Sequence, residues 1–318
     1  MKPYPITTFV LAALVGCSIL FEPETLPKTG ESFYEHDGMK IHFKDAGKGR
    51  PLILIHGFGA SMDTWRYLEG ALKSAYRLVP LDLKGHGLSD RPRDEHYSLE
   101  DHAEVVMGLV EHLGLSNVVL VGHSLGSVIA LVAALKAQKI SPDKVSGIVL
   151  LTGSLDPENL PLFLRLLRFP TFGWLVMKLT TASFRTRLVL KKAFYDHEKV
   201  TDSLVELYAK YQRIPGTDYA LLKTAEQMIP QDASRFEQEL RTLDIPVLNI
   251  AGEHDEIISR ISAEQVCKVL PRCRLVVVEG VGHVPHEEAP QKVVPLLKDF
   301  IAGLLEQKVS LAATAKAN

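Results

Sequence analysis

Short apolar runs recur along the chain, and most of them end at a glycine or a polar loop. In chain order they are PLILI, RLVP, VVLV, GIVLL, PVLNI and LVVV. Their length and β-branched content are typical of strands that are buried on both faces. Ahead of them, FYEHDGMKIHFKDAG predicts a β-hairpin that turns at Asp37-Gly38.

Segments of helical length separate these predicted strands. Residues from about Leu99 to Leu113 follow a helical period, and VIALVAALKAQ after the VVLV run suits a helix packed on a sheet. Alternating strands and helices predict an α/β fold with a mainly parallel central sheet flanked by helices. Ligands bind such sheets outside the carboxyl ends of the strands.

The alternation stops between Asp156 and about Asp232, where two long stretches are helical in pattern and no central strand is evident. We interpret this part as a helical cap inserted into the α/β core. The expected organisation is a core of residues 33–155 and 233–307, a cap of residues 156–232, and a flexible tail of residues 308–318.

The VVLV run leads directly into GHSLG, which places Ser124 between two glycines. The G-x-S-x-G pattern alone is weak evidence. A strand before it and a helix after it are the context of a nucleophile elbow, a strained turn that exposes a serine at the sheet edge.

A serine hydroxyl is a weak nucleophile, so Ser124 needs a base, and the base needs an acid that orients it. Asp255 follows the PVLNI strand and His283 follows the LVVV strand. Both are therefore expected at the sheet edge that carries Ser124, in the chain order serine, acid, histidine. Asp156, after the GIVLL strand, is the alternative acid, although the proline that follows it also suits a simple turn.

Composition excludes several other classes of function. The net charge of −2 gives no reason to expect a nucleic-acid partner. No phosphate-cradling or dinucleotide-binding glycine motif is present, so no cofactor is expected. His254, His283 and His286 lack the spacing of a metal site, so no metal is expected either.

The N-terminus carries a candidate export signal. One lysine precedes an apolar run from Ile6 to Gly16, which is short for a membrane span and suits a signal peptide. Leu14-Val15-Gly16-Cys17 resembles a bacterial lipobox, which implies a signal in residues 1–17, a lipidated Cys17 and a linker of residues 18–32. The alternative is an uncleaved anchor that includes Ile19–Phe21. Both interpretations place the protein at a membrane. For the lipoprotein, that is the cell envelope, and Ser18 after the cysteine resembles the signal for the outer membrane if the host is Gram-negative.

Export would permit a disulfide between Cys267 and Cys273. Two reduced, buried cysteines are equally compatible with their spacing.

From Phe33 to Leu305 the sequence resembles the α/β-hydrolase superfamily, with HGFG, DLKGHGLSDRP, GHSLGS, GEHD and GVGHVPHEEAP matching its motifs in order. The resemblance implies Ser124 as nucleophile, His283 as general base and acid, and Asp255 as the residue that orients it. It also implies an oxyanion hole made by the backbone N–H groups of Phe58 and Leu125.

Several other residues near these motifs are assigned structural roles. His56, His86 and His123 are expected to organise loops beside glycines, and His286 is expected to be structural. Ser127 stands where the superfamily often has glycine, and we expect its hydroxyl to cap a backbone group.

Haloalkane dehalogenases and epoxide hydrolases of the superfamily resemble this chain in having a cap, but they use aspartate at the elbow. The serine at this position therefore argues against both activities. The leading hypothesis is a serine carboxylesterase or lipase that cleaves an ester with an apolar acyl group. The nearest alternative is a carbon–carbon hydrolase of the meta-cleavage-product type, which HGFGAS and GHSLG also resemble. Thioesterase and acyltransferase activity share the acyl-enzyme. A non-catalytic envelope binding protein is the hypothesis from another class.

The predicted cap has an unusual charge pattern. Residues 160–193 contain seven basic residues and no acidic one, with leucine, phenylalanine and Trp174 between them. One interpretation is a lid that lies near anionic lipid. The simpler interpretation is a lid whose apolar face covers the active site and whose charges are solvated.

Overall fold

The computed structural model describes residues 31–155 and 162–317. Its centre is an eight-stranded sheet in the order β1-β2-β4-β3-β5-β6-β7-β8. The strands are β1 (Glu31–His36), β2 (Met39–Lys44), β3 (Arg50–Ile55), β4 (Tyr76–Leu81), β5 (Val118–His123), β6 (Val145–Leu151), β7 (Val247–Gly252) and β8 (Cys273–Val278). In the order of the sheet, each strand from β4 to β8, with β3 among them, pairs in parallel with the next. The pairings of β2 with β1 and with β4 are antiparallel.

Helices lie on both faces of the sheet, and several more follow β6 in the chain before β7 begins. They are α1 (Arg66–Leu72), α2 (Leu99–His112), α3 (Leu125–Ile140), α4 (Leu162–Leu167), α5 (Pro170–Leu179), α6 (Ala182–Ala193), α7 (Asp202–Gln212), α8 (Thr217–Gln227), α9 (Ala233–Leu240), α10 (Arg260–Val269), α11 (Pro285–Glu288) and α12 (Pro290–Ala317). Short 3-10 helices span Met62–Trp65 and His197–Lys199.

The apolar runs form strands that are buried on both faces, as their composition predicts. In β3, Ile53 and Ile55 pack with the cluster on the α2 and α3 side, whereas Leu52 and Leu54 pack on the α1 and α12 side. Successive side chains of a strand point to opposite faces, so an unbroken apolar run fills both layers of the core.

Local capping defines where the helices begin. Ser98 caps α2 in a reciprocal capping box with Asp101, which satisfies two backbone N–H groups at the start of the helix. The hairpin between β1 and β2 turns through Asp37 and Gly38, which both have positive φ. This is the backbone of a two-residue hairpin turn that favours Asp-Gly.

Between β6 and α9, the described residues fold into α4–α8 and the short 3-10 helix His197–Lys199, which together we call the cap. The cap has two apolar clusters of its own. Residues of α4, α5 and α8 surround Met177, and residues of α6 and α7 pack with Ile257 and Val284 of the core. At the other end of the chain, α12 extends to Ala317 and so includes residues 308–317, for which the sequence predicts a flexible tail.

The fold predicted from the sequence, a mainly parallel sheet flanked by helices, is confirmed. Residues 1–30, with the candidate signal and Cys17, lie outside the described residues, as does Asp156. Within residues 31–155 and 162–317, no helix combines the length and apolar content needed to cross a bilayer.

Cys267 of α10 and Cys273 of β8 form a disulfide. The bond closes a short loop between a helix and the edge strand that it covers, since the two cysteines are six residues apart. The sequence left the two redox states open, and the structure has the oxidised one.

Removing this disulfide should lower stability. Constraint of so short a loop in the unfolded chain accounts for about 2 kcal/mol in the chain-entropy model. The double variant Cys267→Ser, Cys273→Ser should therefore lose about that much free energy of unfolding in urea titrations. Dithiothreitol should destabilise the parent protein similarly and leave the double variant unchanged. Parent curves that coincide with and without dithiothreitol would contradict the bond.

Candidate active site

Ser124 occupies a sharp turn between β5 and α3, with φ 52° and ψ −116°. Such a backbone is costly for a non-glycine residue, and it persists only where the surroundings enforce it. The two flanking glycines make the turn sterically feasible. A Cβ at Gly126 would lie 2.1 Å from the Ile55 carbonyl oxygen, and one at Gly122 would lie 2.2 Å from that of Gly126. The sequence therefore requires glycine at both positions to bring the helix this close to the strands.

The HGFG loop after β3 lies against the same turn. A Cβ at Gly57 would lie 3.2 Å from the Cβ of Ser124, so the backbone before Phe58 passes beside the serine. Leu125 is the first residue of α3, where helical N–H groups have no partner within the helix. The two candidate oxyanion donors thus belong to segments that meet at Ser124.

His283 and Asp255 form a hydrogen-bonded pair, with Nδ1 2.8 Å from Oδ2. The side chains are only 5% and 1% exposed. Asp255 Oδ1 accepts the backbone N–H groups of Ile257 and Ile258 at 2.7 and 2.8 Å, which fixes the carboxylate. A carboxylate that accepts from Nδ1–H leaves Nε2 of a neutral imidazole as the base.

The backbone of His283 is fixed from three directions. Its carbonyl accepts hydrogen bonds from His123 Nε2 at 3.0 Å and from Thr152 Oγ1 at 3.1 Å. Its N–H donates to the Ala193 carbonyl, at the end of α6, at 2.6 Å. His123 immediately precedes Ser124, so one bond ties the histidine loop directly to the serine turn.

Thr152 carries backbone strain of its own. It has φ 56°, which is unusual for a β-branched residue, and it is fully buried after β6. Its N–H donates to the Ile250 carbonyl at 2.8 Å. Thr152 therefore bridges β7 and the His283 loop, a role that no motif in the sequence indicated.

Glu288 joins the histidine loop to the cap. One carboxylate oxygen accepts the Gly282 N–H at 2.6 Å, and the other accepts the Asp196 N–H at 2.7 Å. Lys199 donates to the Glu288 carbonyl at 2.7 Å. One buried side chain thus holds the residue before His283 and the segment after α6.

The neighbouring Glu287 joins the cap to the core. It accepts hydrogen bonds from Thr64 and from Tyr208 of α7, and it pairs with Arg66 at 2.5 Å. Burial of the Tyr208 hydroxyl, together with the charge of Glu287, raises the pKa of this tyrosine well above its ordinary value.

The histidines beside glycines organise loops, as the sequence predicts. His56 contacts the Gly57 carbonyl at 2.8 Å and accepts the Leu83 N–H at 3.0 Å. His86 contacts the Lys84 carbonyl at 3.1 Å. The Ser127 hydroxyl donates to the Gly122 carbonyl at 2.8 Å, so its expected role in capping a backbone group is confirmed.

His286 is also structural. Its Nε2 lies 2.8 Å from Thr64 Oγ1, and its ring packs on Trp65 and His123. Among the described residues, no three His, Cys, Asp or Glu side chains meet in a way that could hold a metal ion.

The family model described as "alpha/beta hydrolase fold" matches residues 50–290. The chain belongs to this family. As an α/β hydrolase, it is 28% identical over 271 residues to the "uncharacterized hydrolase YugF" of Bacillus subtilis, covering 83% of this chain and 95% of that protein. It is 27% identical to the 2-hydroxymuconate semialdehyde hydrolase of Pseudomonas sp. (strain CF600), covering 88% and 96%.

A solved esterase from Exiguobacterium antarcticum superposes on this α/β hydrolase with a TM-score of 0.70 at 21% identity, covering 84% of this chain and 97% of the esterase. At that identity the likeness concerns the fold. Proteins with this fold are named for different reactions, so the fold alone does not identify the substrate. The geometry of the site has to indicate it.

Acid should destabilise the hydrolase through its buried histidines. Burial, with a smaller contribution from Arg66, lowers the pKa of His286 to about 3, whereas an unfolded histidine titrates near 6.5. Because the folded-state pKa is depressed, this contribution to stability is complete above about pH 6.5 and is lost as the pH falls toward about 3.

The loss should be about 1.4 kcal/mol per pH unit for each such histidine. We expect the free energy of unfolding, measured in urea between about pH 7 and about pH 4, to fall less steeply with decreasing pH in His286→Gln. The difference should be about 1.4 kcal/mol per pH unit. Burial also lowers the pKa of His102 to about 3. Adding His102→Gln should therefore reduce the pH dependence of the free energy of unfolding by the same amount again. Equal slopes in parent and variants would refute the assignment.

Proposed function

We propose that this α/β hydrolase is a serine esterase that cleaves a carboxylic ester through an acyl-enzyme on Ser124. The observation that supports this most is the strained Ser124 turn at the sheet edge where the His283–Asp255 pair also lies. A nucleophile, a base and an acid that orients the base are the parts that acyl transfer needs.

In the proposed first step, His283 Nε2 takes the hydroxyl proton as Ser124 Oγ attacks the ester carbonyl carbon. The backbone N–H groups of Phe58 and Leu125 stabilise the negative charge that forms on the tetrahedral oxygen. Losing one such donor typically costs about 3–4 kcal/mol of transition-state stabilisation. The protonated His283, with Asp255 beside it, then gives its proton to the departing alcohol.

In the second step, His283 takes a proton from water, which attacks the acyl-enzyme. The bond to Ser124 Oγ breaks, the acid leaves, and Ser124 regains its proton. Glu288, Thr152 and Ala193 do not contact the reacting atoms in this scheme. They position the His283 loop through the hydrogen bonds described above.

The surroundings of Phe58 favour an apolar acyl group. Its side chain packs against the cap cluster that includes Leu164, Leu167, Met177 and Leu221. An acyl chain that extends from the oxyanion loop toward the cap would meet carbon rather than charge.

Carbon–carbon bond hydrolysis is a second candidate, favoured by the similarity to the 2-hydroxymuconate semialdehyde hydrolase. It would use the same residues, with a carbon leaving group in place of an alkoxide. Such substrates are generally cytosolic catabolites, so the candidate export signal argues against it.

We further propose that the protein is a lipoprotein of the cell envelope that is acylated on Cys17. The sequence Leu14–Cys17 supports this, and so does the Cys267–Cys273 disulfide, because such bonds persist in oxidising compartments.

Replacing Ser124 with alanine should abolish turnover of nitrophenyl esters, with kcat lower by about 10⁴-fold or more. Ser127→Ala is the matched control, since it removes a hydroxyl three residues away that bonds only to backbone carbonyls. That variant should keep kcat within a few fold of the parent. Equal loss in both variants would indicate misfolding instead of a nucleophile.

A series of nitrophenyl esters with increasing acyl length separates the candidate functions. Turnover that rises with acyl length supports the proposed apolar acyl site. If no ester reacts but 2-hydroxymuconate semialdehyde is consumed, the carbon–carbon activity replaces the proposal. If neither class reacts, a binding protein becomes the better description, and Ser124→Ala should then leave its cellular role intact.

Lipidation is tested by labelling bacterial cells with a radioactive fatty acid. The parent chain should carry the label and partition into the detergent phase, whereas Cys17→Ser should lose the label. An unlabelled parent chain that keeps residues 1–17 and still partitions into detergent would support the uncleaved anchor and would overturn the lipidation proposal.

A further inference from the structure

The outer face of α5 is apolar although it is exposed. The helix buries Gly173 and Met177 against the rest of the cap. Its opposite side carries Phe172, Trp174, Leu175 and Leu179 at 41%, 57%, 45% and 74% exposure. In a lid of the simpler kind, only the inner face would be apolar.

The next helix, α6, repeats this arrangement. It buries Ala182, Thr186 and Leu190. Phe184, Leu188 and Lys191 follow one another at helical spacing on the exposed side. With Leu162 and Phe169 from the region of α4, the α4–α6 part of the cap presents eight large exposed apolar side chains, which is far more than isolated surface leucines would supply.

Every charged side chain between residues 162 and 193 is basic. Arg165, Lys178 and Lys191 are exposed and have no ion pair within the described parts of the chain. The pairs formed by Arg185, Arg187 and Lys192 use acids outside this stretch, namely Asp218, Asp202 and Glu256. Along residues 162–193, the charged side chains that alternate with the exposed apolar ones are therefore all basic.

We propose that the outer face of α4–α6 docks on an anionic phospholipid surface. A helix with exposed aromatic and leucine side chains beside lysine and arginine is suited to the boundary between headgroups and acyl chains. Each basic residue adds attraction to anionic headgroups. A second copy of the chain fits less well, because pairing two such faces would bring the same cations together.

Two helices of the docking face, α4 and α5, also contribute to the apolar cluster that packs against the oxyanion loop. Leu164, Leu167 and Met177 of these helices share that cluster with Leu221 of α8, and Phe58 packs against it, whereas the outer side of α5 faces the proposed bilayer. Docking would therefore place at the lipid surface the same helices that contribute to the cluster beside the oxyanion loop.

The two tryptophans of the chain give a direct test with the full-length protein. Trp65 is fully buried in the core, whereas Trp174 is on the proposed docking face. Residues 1–30 contain no tryptophan, so anchoring through the N-terminus is silent in this measurement. Vesicles of phosphatidylcholine and phosphatidylglycerol with brominated acyl chains should quench Trp174 and leave the Trp65 emission unchanged.

Trp174→Phe should abolish the quenching, which assigns the signal. Trp174 quenching also measures how strongly the cap partitions into the vesicles. The double variant Lys178→Glu, Lys191→Glu should lower this partition coefficient by about thirty-fold or more. Leu179→Glu should weaken the quenching strongly. Ile140→Glu is its matched control, because Ile140 is an equally exposed aliphatic residue at the end of α3. Thermal unfolding of each variant checks that the fold is intact.

Two results would overturn the proposal. Protein that sediments with the vesicles while Trp174 stays unquenched would show attachment through the N-terminus only. Light scattering that reports a dimer, which Leu179→Glu dissociates and Ile140→Glu does not, would assign the face to a second copy. Neither readout depends on turnover, so a failure here is distinguishable from a failure of the proposed esterase activity.

Discussion

The arrangement of this hydrolase depends on how closely the backbone of the β5–α3 turn approaches its neighbours. No side-chain carbon fits at Gly122 or Gly126, because carbonyl oxygens of the turn and of β3 already occupy that space. The same contact fixes Ser124 at positive φ and brings the loop after β3 beside it. Close packing of backbone on backbone therefore gives the serine its orientation, at a conformational cost that the buried sheet has to offset.

Around this turn, adjacent carboxylates connect parts of the chain that are far apart in sequence. Glu287 links α7 to the Thr64 region, and Glu288 links the histidine loop to the segment after α6. Both are nearly fully buried, and each accepts several hydrogen bonds. A buried carboxylate without such partners would be strongly unfavourable, so these two side chains restrict the positions that the surrounding segments can adopt.

Much of this could be predicted from the sequence, because the relevant signals are local. The apolar runs identified the strands, and Ser124, Asp255 and His283 each follow one of them. Thr152 and Tyr208 could not be found in this way, since their roles come from contacts with residues more than seventy positions away. Glu288 lies within the quoted GVGHVPHEEAP motif, but its two partners are visible only in the fold. The pattern of α5 likewise indicated an amphipathic helix without showing that both of its faces are apolar.

The two halves of the cap are attached to the core in different ways. At the end of α6, directional hydrogen bonds join Ala193 to His283 and Asp196 to Glu288, so that separation there would also displace the imidazole. At the other end, Phe58 packs against the apolar cluster of α4, α5 and α8, and apolar contacts are not directional. Directional bonds therefore hold the part of the cap beside His283, and non-directional packing holds the part beside Phe58. A displacement of α4, α5 and α8 from the oxyanion loop would break none of the hydrogen bonds described for the His283 loop, so a substrate that entered there would leave the base in place.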